Sequence, residues 1–173
     1  MNLKVYPARA MSGLVAADVV REATADKAVM ERQGMTVLCP VIGEKVKPTK
    51  AVIASSKRQM DTFWHRDKEM IREAHVVFDM SPTRKSEGVA HEIGLARYAY
   101  WKPVFRIYRE GSLPPKSSIA VYEDDYICAT LAEAIERAIK HHGTWWRRFK
   151  WRVSLYKRCR LKALFYEILF WFQ

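Results

Sequence analysis

The chain has 173 residues, 49% apolar and 28% charged, which suits one α/β domain with a real core and argues against a disordered chain. The longest apolar run, Ala163 to Phe172, is broken by Glu167 and falls short of the ~18 residues of a membrane span. Net charge is +11, but residues 144–173 hold eight Lys/Arg against Glu167 alone, a net +7, so the preceding 143 residues are only mildly basic at +4.

Taken in chain order, the body alternates strand-like and helix-like segments. Leu3 to Tyr6 is a short apolar run. Residues 14–33 place Val15, Val19, Val20 and Ala23 at helical spacing, and Gly34 stops them. Met35 to Val41 reads as a buried strand closed at Pro40, and residues 42–58, polar and basic with Gly43 and Pro48, as a loop. Met60, Phe63, Met70, Ile71 and Ala74 form one stripe of a helix over 60–74. His75 to Met80 is a strand ended by Ser81-Pro82, Ser86 to Trp101 a helix, and Pro103 to Tyr108 a strand. Ile119 to Tyr122 is expected to be a further strand, and Thr130 to His142 the last helix of the body. Such alternation predicts a doubly wound parallel sheet with helices on both faces. Sheets of this kind bind ligands at the carboxyl ends of their strands, where the strand order switches. Two regions follow: an α/β domain over 1–143 and a basic, aromatic-rich helical tail over 144–173, which carries four of the six tryptophans.

Several chemistries are excluded. The seven glycines form neither G-x-G-x-x-G nor a P-loop, and His91-Glu92 is followed by Leu95 where a zincin needs histidine. Cys39, Cys128 and Cys159 include no C-x-x-C pair, so neither a disulfide framework nor a thiolate zinc site is expected. With no signal-like apolar stretch in Met1-Asn2-Leu3-Lys4, a reducing cytoplasm is the expected setting. No metal or cofactor is implied.

Two carboxylates stand out. Asp67 lies in the apolar stripe of its helix, four residues after Phe63 and three and four before Met70 and Ile71. Glu92 lies three after Val89 and four before Ala96. An unpaired buried carboxylate is costly, so each needs a partner or a function. The plainer reading of Asp67 is a pair with Arg66 or Arg72. Two such residues, on helices flanking one strand, point instead to a site. Between that strand and the second helix runs Ser81-Pro-Thr-Arg-Lys-Ser86-Glu87-Gly88. Ser86 suits an N-cap, Gly88 lets a ligand approach the backbone, and the amides of a helix start suit a phosphate; ordinary capping is the plainer reading of the serine. Gly94, inside the helix, is expected to mark close packing.

In these residues the chain resembles the nucleoside 2-deoxyribosyltransferase superfamily. The resemblance covers residues 3 to about 140. It rests on Lys4-Val-Tyr6, on Arg66-Asp67 through Ala74-His-Val-Val-Phe-Asp79, and on Ser86-Glu-Gly-Val-Ala-His-Glu92-Ile-Gly-Leu-Ala96 followed by Lys102-Pro103-Val104. The S-x-G-x-x-x-E-x-G-x-A spacing is its most specific part. The resemblance implies a flavodoxin-like fold and cleavage of an N-glycosidic bond. Glu92 would be the nucleophile, Asp67 would protonate or polarise the leaving base from a partly apolar setting that favours its neutral form, and Tyr6 would orient Glu92. Six residues before the glutamate, transferases acting on free nucleosides tend to carry aspartate, whereas the 2'-deoxynucleoside 5'-phosphate N-hydrolases and related pyrimidine-nucleotide N-glycosidases carry serine. Ser86 in this place brings the chain closer to the nucleotide hydrolases. Ser86 and Gly88 would then hold phosphate, with Arg9, Ser12 and Gly13 as further candidates. The expected substrate is a nucleoside monophosphate, and the expected assembly a homodimer or larger homo-oligomer, with Ser117 a candidate for completing a neighbour's site. Base exchange by a deoxyribosyltransferase is the alternative activity, and a non-catalytic nucleotide-binding or membrane-tethered module the alternative of another class. In the tail, apolar residues crowd toward 161–172, which suits packing or peripheral contact with an anionic membrane better than nucleic acid.

Overall fold

A computed structural model of the protein describes residues 2–11, 14–42, 57–84, 86–108 and 126–143. It contains β1 (Leu3–Ala8), α1 (Ala16–Arg32), β2 (Met35–Val37), α2 (Lys57–Glu73), β3 (Val76–Asp79), α3 (Glu87–Gly94), β4 (Val104–Ile107), β5 (Tyr126–Cys128) and α4 (Leu131–His142). The five strands form one parallel sheet in the order β2-β1-β3-β4-β5. This is the flavodoxin-like doubly wound order, with the switch between β1 and β3.

The pleat sends alternate side chains to opposite faces, and each face buries its own core. On one, Leu3, Val5, Val76, Phe78, Phe105 and Ile107 pack against Met30 of α1 and Ala134, Ile135 and Ala138 of α4. The ring of Phe105 meets Phe78 edge-on and stacks on Tyr126 at 4.5 Å between centroids, tying β3, β4 and β5 together. On the other face, Tyr6, Ala8, Val77 and Val104 meet Ile71 of α2 and Val89 and Ile93 of α3. Each of the larger of these side chains, Val, Leu, Ile, Phe or Met, contributes ~1.5–3 kcal/mol by leaving water, which is why the strands are mostly apolar.

α1 ends as its sequence predicts. Gly34, at φ +76°, takes the left-handed conformation, and its N–H donates to the Glu31 carbonyl at 2.9 Å. α3 continues into a wider turn over Leu95–Ala99, where the Tyr100 N–H donates to the Leu95 carbonyl. In that wider turn the neighbours Ala96 and Arg97 are both buried.

Three expectations need correction. β2 ends at Val37 rather than Val41, because the chain leaves the ladder ahead of Pro40. A strand forms at Tyr126–Cys128, which the sequence reading left out; the strand expected at Ile119–Tyr122 lies outside the described residues. Gly94 marks no close packing, since a Cβ added there would meet nothing within 4 Å. Its backbone is ordinary helix, φ −58° and ψ −46°. Gly94→Ala is therefore expected to stabilise the fold by ~0.5–1 kcal/mol, read by denaturant unfolding. A loss of stability would contradict the open space.

Candidate active site

Tyr6, Asp67 and Glu92 arrive on the same face of the sheet from three elements. Tyr6 is placed by the pleat of β1, one residue beyond Val5 of the opposite core, and is fully buried. Asp67 comes from the stripe of α2 that also carries Ile71, with Ala74 just past the helix end, and is 8% exposed. Glu92 comes from α3, whose Val89 and Ile93 face the sheet.

Glu92 Oε2 and the Tyr6 hydroxyl are both buried, and neither has a hydrogen-bond partner of normal geometry among the described residues. Leaving a buried polar group unsatisfied costs ~1–3 kcal/mol, so two of them on one face mark a site prepared for a ligand. The two groups sense each other nonetheless. Burial, then the Asp67 charge, push the Glu92 carboxyl up to about 8, while the Tyr6 hydroxyl and Arg66 pull the other way. Burial, and next the Glu92 charge, lift the Tyr6 phenol far above its usual range, so it remains a hydroxyl donor at any working pH.

Asp67 makes the pair with Arg66 that the sequence offers as its plainer reading. Arg66 Nε and Nη2 both donate to its Oδ1, at 3.0 and 2.9 Å. The guanidinium also lies 5.3 Å from the centre of the Phe63 ring. The pair joins a carboxylate to a cation on the inner side of α2, a combination suited to polarising a leaving base.

Ser86 caps α3, its Oγ accepting from the Val89 N–H at 3.4 Å. That contact is long, and the hydroxyl is only half-buried. Gly88 is exposed, and a Cβ there would meet Ser86 Oγ at 3.8 Å, an ordinary contact. Both residues therefore stand at an open helix start. Arg9, a further phosphate candidate, is held by carboxylates of α1. Its guanidinium is buried and ion-paired with Glu22 at 2.8 Å and with Asp26, both on α1. It borders a cleft of about 560 Å³ beside the start of α1, whose charged lining is Arg9, Arg21 and Arg84 with Asp18 and Glu22. Ser12, Gly13 and Ser117 lie outside the described residues.

The sequence reading missed the buried pair Asp79 and Arg106 at the carboxyl ends of β3 and β4. Arg106 Nη1 donates to Asp79 Oδ2 at 2.9 Å. Charged residues at alternate positions of apolar strands, in Val76-Val-Phe-Asp79 and Val104-Phe-Arg106-Ile, were the available signal.

No family model matches the chain, and no curated protein matches its sequence. Among solved structures, its fold is similar to that of a 2-deoxyribosyltransferase of Bacillus psychrosaccharolyticus, with TM-score 0.52 and 18% identity over 76% of this chain and 90% of that one. A conserved protein of Enterococcus faecalis V583 matches with TM-score 0.57 and 14% identity, over 82% and 99% of the two chains. The CMP N-glycosidase BcmB of Clostridium botulinum matches with TM-score 0.48 and 15% identity, over 80% and 98%. At these identities the likeness is one of fold. It agrees with the flavodoxin-like architecture that the sequence resemblance implied.

Proposed function

We propose that the protein is an enzyme that hydrolyses the N-glycosidic bond of a (deoxy)nucleoside 5'-monophosphate. The observation that carries this reading is the Glu92 carboxyl, buried and unsatisfied at Oε2, on which the Tyr6 hydroxyl, Asp67 and Arg66 all act. The fold shared with a 2-deoxyribosyltransferase supports glycosyl chemistry at such a site.

In the proposed reaction the Glu92 carboxylate attacks C1' as the bond to the base nitrogen breaks, giving a glycosyl ester. Asp67, with Arg66, faces the leaving base and polarises or protonates its nitrogen. Water then attacks C1', releasing the sugar phosphate and returning the carboxylate. Tyr6 donates to Glu92 and holds its orientation. The 5'-phosphate sits at the start of α3, on Ser86 and the Gly88 amide. Base exchange uses the same residues with a second base in place of water. Incubation with a panel of nucleoside monophosphates, with and without an acceptor base, separates the two by chromatography of free base and new nucleotide. Release of no base from any member would sink both.

Residues 144–173 lie outside the described residues, and no helix among the described ones is long and apolar enough to cross a membrane. For this basic, aromatic segment we propose peripheral association with anionic membrane or with a second copy, without a part in the chemistry. The second copy would complete the site, Ser117 being the candidate residue. Truncation after Gly143 is expected to leave specific activity within a few-fold, unless the segment holds the catalytic oligomer together, and to abolish co-sedimentation with anionic vesicles. If neither protein sediments and truncation lowers the oligomeric state, the segment is an assembly element.

A further inference from the structure

Asp79 and Arg106 share the sheet face of Tyr6 and Glu92. The register pairs Ala8 with Asp79 and Asp79 with Arg106, one pleat beyond the Tyr6, Val77 and Val104 row and nearer the carboxyl ends. The two side chains are nearly inaccessible, at 1% and 6% exposure. While Oδ2 takes the Arg106 bond, Asp79 Oδ1 accepts from the Ser81 N–H at 3.1 Å. The next contacts tie this corner to the exit of β1: the Met80 N–H donates to the Ala8 carbonyl at 2.9 Å, and the Ala10 N–H to Ser81 Oγ at 3.2 Å. The pair thus sits at the switch point, beneath the segment that leads to Ser86 and the start of α3.

A buried ion pair is weak evidence for stability, because apolar residues of similar volume often do as well. Its place beside the site gives it another use. We propose that Asp79 and Arg106 are a positioning pair for Glu92: they fix the segment that leads to Ser86 and set the charge balance in which Glu92 gains and loses its proton. This rests on reading Glu92 as the nucleophile. The groups that act on Glu92 come from every element around it: Tyr6 from β1, Arg66 and Asp67 from α2, and Asp79 from β3. Asp79 and Asp67 push its proton affinity up; Tyr6 and Arg66 pull it down. Asp79 is itself raised by burial, against the pull of Arg106 and the Ser81 N–H.

The sign for Asp79→Asn is unambiguous. The amide oxygen still accepts from Ser81, so the corner can hold. Removing the negative charge while keeping that of Arg106 favours the Glu92 carboxylate. In the wild type, kcat/KM should fall as pH drops below about 8, as the nucleophile is protonated. In Asp79→Asn this acidic limb should move down by roughly one pH unit. Arg106→Lys, which keeps the charge, should hold the limb near its wild-type position. The Glu92 proton is also read directly, by the infrared band of the protonated carboxyl, assigned through its loss in Glu92→Gln. If Asp79→Asn does not fold, Asp79→Ser, which also removes the negative charge and keeps Arg106, carries the test, and its band should titrate below the wild type. A folded variant whose band and limb stay at the wild-type pH overturns the proposal and leaves the pair a structural brace. The band needs no turnover, so a protein that releases no base from any nucleotide loses the proposed function while the effect of Asp79 is still measured.

Discussion

Glu92→Gln is expected to abolish base release while leaving nucleotide binding largely intact. The amide fills the same space on α3, between Val89 and Ile93. It cannot attack C1', so the covalent route is closed and only the electrostatic and positioning contributions remain. Loss of a covalent nucleophile costs many orders of magnitude in well-studied hydrolases, and at least ~10³-fold is expected here. Binding should survive because the phosphate contacts proposed for Ser86 and Gly88 lie at the far end of the sugar. Turnover in a clean preparation by single-turnover assay, with nucleotide binding by calorimetry, reads both. Retention of a substantial fraction of wild-type activity would remove Glu92 from the nucleophile role.

The second large effect is expected at Ser86. The wild type should prefer 5'-monophosphates to free nucleosides, and Ser86→Asp should reduce the ratio of the two kcat/KM values by roughly 100-fold, since like charges placed together cost several kcal/mol. Aspartate is as good an N-cap as serine, so α3 should keep its start and the effect should not be one of folding. The helix start is open enough for the substitution: Ser86 is half-buried and Gly88 exposed. Its carboxylate would repel phosphate yet could accept from a 5'-hydroxyl, so nucleoside turnover should be retained or improved. An unchanged ratio, in a variant with wild-type unfolding behaviour, would place the phosphate elsewhere.

Much of this site could be read from residue spacing. The stripe of α2 identified Asp67 as an inward-facing carboxylate, and Val89 and Ala96 did the same for Glu92, because a helix repeats every 3.6 residues whatever lies around it. The same periodicity located the helices, and the mostly apolar runs at β1, β3 and β4 announced strands covered on both faces. What depends on partners far along the chain was less legible. Arg9 is a phosphate candidate in the sequence, and only the fold brings Glu22 and Asp26 of α1 to its guanidinium. Asp67, by contrast, has its partner next to it in the chain, and the pair with Arg66 is among the readings its sequence offers. β5 is three residues, Tyr-Ile-Cys, too short for any periodic signal; its place is set by pairing with β4. Gly94 looked like a packing glycine, and only the three-dimensional surroundings reveal the space beside it.

The most direct measurement of the central claim is mass analysis of the protein quenched during turnover of a deoxynucleoside monophosphate that releases base. The proposed reaction predicts a covalent sugar phosphate on the peptide that carries Glu92, formed as base appears, lost on further incubation in water, and absent from Glu92→Gln. An adduct on another residue, or base release that persists in Glu92→Gln without any adduct, would contradict it.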